Sequence, residues 1–180
     1  MRTEEEWDNK IYAKVVSEFS PRLQKDIAEI PYKLKDIPKF GSYYIHGGSK
    51  SGKTLLAAHM YIQAIKKRYL EILPGSYMFV SSYDFFADLK RAFDNPECRE
   101  AEIMAKYTTA AYLVLDDIGS TKFTDWNVSM LQILVNTRYE QLLTTVFTSN
   151  LSLSELEEAM GDDRTPSRIV RMCDKIIEKV

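Results

Sequence analysis

The chain has 180 residues, which suits one domain large enough to bury a hydrophobic core. Its net charge of −2 gives no global signature of a nucleic-acid-binding protein, so such a contact would need a local basic patch. The amino-terminal segment lacks a signal-peptide pattern, and no apolar run is long enough to span a bilayer, so we expect a cytoplasmic protein without membrane contact. Cys98 and Cys173 match no metal or redox spacing and are expected to be reduced thiols.

Residues 1–40 are predicted to form a short N-terminal helical extension ahead of a core at residues 41–180. Apolar residues recur at roughly helical spacing until Ser20-Pro21 interrupts the pattern: Trp7, Ile11, Val15 and Phe19. A second short helix is predicted from Arg22 to Ile30. Both a solvated cap on the core and a docking surface for a partner fit this extension.

A glycine-rich segment lies between a predicted strand at Tyr43-Tyr44-Ile45 and a predicted helix that leaves it. The segment fits the pattern G-x-x-x-x-G-K-[ST] and reads Gly47-Gly48-Ser49-Lys50-Ser51-Gly52-Lys53-Thr54. The glycines allow successive backbone N–H groups to point at phosphate oxygens, and the helix adds the positive end of its dipole. Lys53 is expected to reach the β- and γ-phosphates, and the Thr54 hydroxyl is expected to bind Mg²⁺. The sequence therefore predicts a nucleoside triphosphate site that extends from Gly47 to Leu55.

A second motif follows downstream, where the apolar run Tyr112-Leu113-Val114-Leu115 ends in Asp116 and Asp117. This pattern is typical of a buried parallel strand whose carboxyl end enters an active site, and after a phosphate-binding loop it is the Walker B element. We predict that Asp116 holds Mg²⁺ and that Asp117 polarises the attacking water. Asn150 lies in the polar tip Ser149-Asn150 that follows a predicted strand at residues 144–148. It could orient a water near the γ-phosphate or cap the following turn.

The remaining pattern alternates strands and helices, which is typical of an α/β fold with a parallel sheet. A strand at residues 77–80 leads into a helix with an apolar face that we expect to be core: Phe85, Phe86, Leu89 and Phe93. Further helices are predicted at residues 97–106, 124–143 and 152–160, the last with Ser154 and Glu157 in capping-box order. A final helix is predicted to carry Arg164, Arg168 and Arg171 and to run through Ile176 and Ile177.

Four segments together resemble the DnaC/IstB branch of the AAA+ ATPases: HGGSKSGKT, YMFVSSYDFFADLKRAF, YLVLDDIGSTKFTDW and TTVFTSNLSLSELEEAMGDDRTPSRIVRMCD. The resemblance covers about residues 40–175, in the family's order and spacing, and implies a three-layer αβα core with a parallel sheet. Family members are replicative-helicase loaders, primosomal proteins and ATPase subunits of transposition systems. They form ATP-dependent rings or spirals and often contact single-stranded DNA.

The resemblance also implies roles for single residues. Asp117 occupies the catalytic carboxylate position, Asn150 the sensor-1 position and Arg168 the arginine-finger position, with Arg164 and Arg171 as weaker finger candidates. Many AAA+ proteins have Glu at the position of Asp117, so the shorter side chain is consistent with a slow switch. Three departures from the family pattern stand out: the short extension, the extra Thr165-Pro166 within the finger spacing, and an end at Val180 without an obvious helical lid domain or sensor-2 arginine.

We therefore predict an ATPase that acts as a DnaC-like replicative helicase loader in DNA replication initiation, with ATP and Mg²⁺ as cofactors. Its expected partners are a replicative DNA helicase, single-stranded DNA and, in the presence of ATP, further copies of the chain. One alternative is an IstB-like transposition regulator that covers duplex DNA and recruits a transposase. Another is a nucleotide-gated interaction module with little turnover. A small-molecule kinase fits less well, because the TSN segment and the arginine tail suit a ring ATPase better.

Overall fold

The computed structural model describes residues 3–33, 36–94 and 100–180. Its five strands form one parallel sheet in the order β2-β3-β4-β1-β5: β1 (Tyr43–Gly47), β2 (Tyr77–Ser81), β3 (Tyr112–Ile118), β4 (Thr144–Ser149) and β5 (Lys175–Lys179). The helices are α1 (Glu4–Glu6), a π-helical segment (Trp7–Ile11), α2 (Tyr12–Ser17), α3 (Pro21–Glu29), α4 (Lys53–Glu71), α5 (Ser82–Asp94), α6 (Glu100–Thr108), α7 (Asp125–Glu140), α8 (Leu153–Met160) and α9 (Arg164–Met172).

The central strands are apolar on both sides because helices cover both faces of the sheet. Successive side chains of a strand point to opposite faces, so Tyr43 and Ile45 join the hydrophobic cluster around α4, whereas Tyr44 joins the second cluster. The first cluster includes residues of α2, α3 and α4, and the second includes residues of α5 to α9. This arrangement confirms the predicted three-layer α/β/α fold with a parallel sheet.

The N-terminal helices pack on α4 and complete the first cluster. Trp7, Val15, Phe19 and Ile27 are buried there, and the Phe19 ring makes an edge contact with Phe79 of β2 at 5.1 Å between centroids. Ser20 caps the amino-terminal end of α3, and Pro21 occupies its first turn, where its missing N–H costs nothing. The predicted two-helix pattern is confirmed, while a domain boundary at residue 40 stays a prediction.

The prediction of a final helix through Ile176 and Ile177 is wrong. Helix α9 ends at Met172, and both isoleucines lie in β5, which pairs with β1. The Asp174 N–H donates to the Ser42 carbonyl at 2.8 Å, and the Ser42 N–H donates to the Asp174 carboxylate at 2.8 Å. These bonds align the segment with β1, where two β-branched side chains fit a strand better than a helix.

The predicted capping box is also wrong in register. Ser152, not Ser154, accepts from the backbone N–H of Glu155, and the Glu155 carboxylate accepts from the Ser152 N–H at 2.7 Å. Both Ser152 and Ser154 precede an acidic residue by three positions, so the sequence pattern alone allows both registers. The extended backbone of Ser152 starts the helix two residues earlier.

Phe85, Phe86 and Leu89 are buried, which confirms the interpretation of this face as core. Cys98, the side chain of Phe93 and residues 97–99 of a predicted helix lie outside the described residues. Cys173 is a free cysteine. Among the helices that the structure describes, none combines the length and apolarity needed to cross a membrane.

Candidate nucleotide-binding site

The loop between β1 and α4 has the backbone of an anion-binding turn. Gly47 and Gly52 have φ values of 144° and 84°, which a glycine adopts without a Cβ clash, and Lys50 also lies in the left-handed region at 65°. Gly52 is the N-cap of α4, and no described side chain caps the first N–H groups of this 19-residue helix. These amides and the helix dipole together favour an anion at the loop.

The Lys53 side chain lies along the inside of this loop. Its ammonium group donates to the carbonyl oxygens of Gly47 at 2.9 Å and Gly48 at 2.7 Å, and to Oδ1 of Asn150 at 2.9 Å. Burial lowers the pKa of Lys53, and the carboxylates of Asp117 and Asp116 oppose that shift. The lysine is therefore a positive charge held where the loop and the strand ends meet.

The Asp116 carboxylate is buried and accepts from two hydroxyl groups. Thr54 Oγ1 lies 3.0 Å from Oδ1 and 3.1 Å from Oδ2, and Thr148 Oγ1 donates to Oδ1 at 2.6 Å. Burial raises the pKa of Asp116, whereas the hydrogen bonds from Thr148 and Thr54 oppose the shift. The two residues predicted to hold Mg²⁺, Thr54 and Asp116, are thus in direct contact.

Asp117 lies beside Asp116 but contacts a different set of groups. Its Oδ1 accepts from the Asn150 amide at 3.3 Å, and its backbone carbonyl accepts from Ser82 Oγ at 2.8 Å. Asn150 therefore bridges Lys53 and Asp117, with its oxygen toward the cation and its amide nitrogen toward the carboxylate.

A cavity of about 930 Å³ opens over these groups. The cavity is lined by the loop, by the ends of the strands and by the N-terminal helices. Leu23 and Ile30, in and just after α3, face it together with Phe79 of β2. The predicted site residues that line it are Ser49, Lys50, Gly52, Lys53, Thr54, Leu55, Asp116, Asp117 and Asn150. A volume in this range accommodates a nucleotide-sized ligand.

The three candidate arginine fingers lie on α9, and none of them is among the described residues that line this cavity. Arg164 donates to the Asp162 carboxylate at 2.7 Å, and Gln132 holds the other oxygen of that carboxylate at 2.7 Å. Arg168 is partly exposed and Arg171 is exposed. The finger candidates are therefore not among the described residues that line the candidate site of their own chain.

Sequence reasoning missed two buried hydroxyl groups at the end of β4, beside the aspartates. Thr148 and Ser149 are fully buried, and Ser149 Oγ donates to the Ile118 carbonyl at 2.6 Å. The local pattern predicts Thr148 as the last residue of a β-branched strand and Ser149 as part of the polar tip that follows it. The available signal was a pair of hydroxyl residues directly before Asn150, at the edge where parallel strands end together.

The profile of the family described as IstB-like ATP binding protein matches residues 24–179. The chain belongs to this IstB-like ATP-binding family. An uncharacterized protein of Bacillus subtilis (strain 168), YqaM, is 28% identical over 183 residues, which cover 94% of this chain and 54% of YqaM. The chain thus spans about half the length of that curated relative.

Solved structures show the same fold at low identity. A DnaC helicase loader is 21% identical with a TM-score of 0.67, over 95% of this chain and 99% of that one. DnaI is 21% identical with a TM-score of 0.62, and the match covers 92% of this chain and 87% of DnaI. AMPPCP-bound DnaA from Aquifex aeolicus is 19% identical with a TM-score of 0.64, and the match covers 95% of this chain and 46% of that one. The resemblance to the DnaC/IstB branch of AAA+ proteins is confirmed, and IstB-like proteins are ATP-binding proteins.

Proposed function

We propose that this protein is an ATPase that assists the loading of a replicative DNA helicase. The observation that carries the proposal is the convergence of Lys53, Thr54, Asp116, Asp117 and Asn150 on one cavity in an IstB-like fold. The likeness to a DnaC helicase loader, which this fold matches over 99% of that chain, supports the choice of partner.

The proposed roles follow from the contacts of each group. The amides of the loop at residues 47–54 cradle the phosphates, and Lys53 turns from the loop carbonyls to the β- and γ-phosphate oxygens. Asp117 accepts a hydrogen bond from the attacking water and polarises it. Asn150 holds Asp117 and senses the γ-phosphate through the same amide.

The residues present fit Mg²⁺ through Thr54 and Asp116. Among the described residues, no group of three or more His, Cys, Asp or Glu side chains is placed to hold a metal. Mg²⁺ does not require such a cage, because it keeps several waters and binds through one or two protein oxygens plus substrate phosphates. One hydroxyl and one carboxylate in contact match that demand. When bound, the ion neutralises charge on the β- and γ-phosphates.

Nucleotide binding is tested first by replacing Lys53 with Ala and titrating a fluorescent ATP analogue. We expect K53A to lose measurable binding, while Lys66→Ala, on the same helix and ion-paired with Glu4 at 3.1 Å, keeps it. Unchanged affinity in K53A would overturn the assignment of the loop.

We further propose that Arg168 completes the site of a neighbouring subunit, so that ATP bridges two copies of the chain. The position of Arg168 on α9, away from the cavity of its own chain, is consistent with this role. Replacing Arg168 with Ala should leave ATP binding intact and abolish assembly-linked hydrolysis. Arg164→Ala and Arg171→Ala are the matched variants, and normal turnover in R168A would refute the shared site.

The partner is tested by capturing the tagged protein from its source cells with ATP and then without nucleotide. Mass spectrometry then identifies the proteins that co-purify. A replicative helicase bound in one nucleotide state and released in the other would establish the loader function. K53A provides the control, since its captured partners should not depend on ATP.

A transposition regulator is the second candidate, and the match to the IstB-like family favours it. In that case the ATP-bound protein should form filaments on duplex DNA and co-purify with a transposase. Electron microscopy of the protein with ATP and duplex or single-stranded DNA separates the two candidates.

A further inference from the structure

The two adjacent aspartates of β3 both face the cavity, although adjacent residues of a regular strand point to opposite faces. The pairing of β3 with β4 explains this. Leu115 pairs with Phe147 and Ile118 pairs with Ser149, so two residues of β3 lie opposite the single residue Thr148. This is a β-bulge, a local irregularity that re-aims side chains. Asp117 has a φ of 61° within it, which is uncommon for a residue other than glycine.

The hydroxyl of Thr148 spans the bulge. It donates to Asp116 Oδ1 at 2.6 Å and accepts from the Asp117 backbone N–H at 2.8 Å. Its single proton is thereby used, and one of its lone pairs holds the amide of the strained residue. Thr148 is fully buried, so water cannot easily take over either bond if the hydroxyl is removed.

We propose that Thr148 is a positioning residue that sets the orientation of both carboxylates toward the nucleotide. It fixes the Asp116 side chain directly and the Asp117 side chain through its backbone. Without the hydroxyl, Asp117 loses a restraint on its left-handed backbone, and its carboxylate moves relative to Asn150. A displacement of about 1 Å at a reacting group can lower a rate roughly a hundredfold. This inference rests on the proposed ATPase function.

The test compares Thr148→Val, which removes the hydroxyl, with Thr148→Ser, which keeps it. Amide hydrogen exchange at Asp117, followed by NMR, reports the bond without any need for catalysis. We expect exchange at Asp117 to become at least about tenfold faster in T148V and to stay within about threefold of wild type in T148S. Circular dichroism confirms that each variant is folded. Thr148→Ala, which removes the same hydroxyl, replaces T148V if that variant unfolds.

ATP hydrolysis supplies the second readout. T148V should lose at least about tenfold in kcat with KM changed less than about threefold, and T148S should restore kcat. Wild-type kcat in T148V, or equal loss in T148S, would overturn the positioning role. Wild-type protein that neither binds nor hydrolyses ATP would instead overturn the proposed function, and the exchange at Asp117 would still decide the role of Thr148.

Discussion

Asp116 and Asp117 are neighbours in the chain, but their carboxylates have different surroundings. Asp116 is 9% exposed and receives hydrogen bonds from Thr54 and Thr148. Asp117 is half-buried and meets the amide of Asn150. A buried carboxylate that is fixed by hydroxyl groups suits the proposed role of Asp116 as a ligand of Mg²⁺. A less enclosed carboxylate next to an amide suits the proposed role of Asp117, which is to contact a water. The two residues therefore give different predictions.

Replacing Asp117 with Asn should lower the rate of ATP hydrolysis at least about a hundredfold, because the amide does not polarise water as a carboxylate does. Nucleotide affinity should stay within a few-fold of wild type, since Lys53 and the loop are unchanged. Phosphate release and titration of a fluorescent ATP analogue measure the two quantities. Asp125→Asn, at the exposed first turn of α7, is the control. Wild-type turnover in D117N would contradict the assigned role.

His59 gives a prediction about pH. Its imidazole is buried in α4 next to Tyr32, and burial lowers its pKa below 6.5, while a hydrogen bond to the backbone of Ile30 opposes the shift. Below pH 6.5 His59 is therefore protonated in the unfolded chain, whereas it stays neutral in the folded protein until its lowered pKa is reached. The contribution of neutral His59 to the free energy of unfolding should be fully present above pH 6.5. It should decrease as the pH falls toward the lowered pKa, by at most about 1.4 kcal/mol per pH unit.

Urea unfolding of wild type and His59→Gln between pH 5 and 7.5 measures this effect. The variant should show a shallower decrease below pH 6.5. The same slope in both proteins would mean that another group is responsible.

At the scale of single elements, the features that depend on residues close together in the chain are the ones that the sequence predicts. The strands β1 to β4 and the helices that follow them depend on apolar runs and helical spacing, and their positions were predicted within a few residues. The glycine-rich loop at residues 47–54 and the Asp116-Asp117 pair are recognisable in the sequence because each motif is contiguous. Strand β5 and the bulge depend on pairing with residues more than 30 positions away, so no local pattern reveals them.

Arg138 of α7 shows a further limit of local patterns, because charged side chains are mostly exposed and nothing in the local sequence marks this one as buried. It is fully buried and donates to the carbonyl oxygens of Tyr107, Ala110 and Thr144 and to the Thr145 hydroxyl, at 2.7–2.8 Å. Burial lowers its pKa to about 10. The side chain joins the end of α6, the segment just before β3 and the start of β4, so it fixes how these elements meet.

Replacing Arg138 with Met should therefore destabilise the fold by about 3 kcal/mol or more, because several buried carbonyl groups lose their donor. Arg91→Met is the matched control. Arg91 is 74% exposed in an ion pair with Asp88, and its loss should cost less than about 1 kcal/mol. Chemical denaturation measures both free energies. Equal stability of the two variants would show that the buried hydrogen bonds of Arg138 contribute little.

At the scale of the whole molecule, the N-terminal helices and the sheet share one hydrophobic cluster. Trp7 is 2% exposed, and its ring lies 6.0 Å from that of Tyr69 near the end of α4. The same helix α4 begins at the glycine-rich loop of residues 47–54, and the cavity over that loop is lined by residues of α3. The extension is therefore connected to the candidate site through helix α4 and through the cavity wall.

Replacing Trp7 with Ala should destabilise the protein by about 3–5 kcal/mol, and the loss should appear in the unfolding of the whole chain. Tyr12→Ala, at a position that is 39% exposed, should cost much less. Thermal unfolding is followed by far-ultraviolet circular dichroism and by the fluorescence of the remaining Trp126. Coincident transitions are expected in wild type and W7A. A separate early transition in W7A would show that the extension folds independently of the sheet.

The contact between Gly47 and β5 has a practical consequence for handling the protein. A Cβ atom on Gly47 would lie 1.9 Å from the carbonyl oxygen of Lys179, so the end of β5 touches the first glycine of the phosphate-binding loop. Val180 follows at a distance of about 3.8 Å along the chain. Affinity tags or fluorescent proteins fused after Val180 would therefore begin beside the loop that we propose to bind phosphates, and they would disturb the binding measurements proposed above. Labels for those experiments belong at the amino terminus.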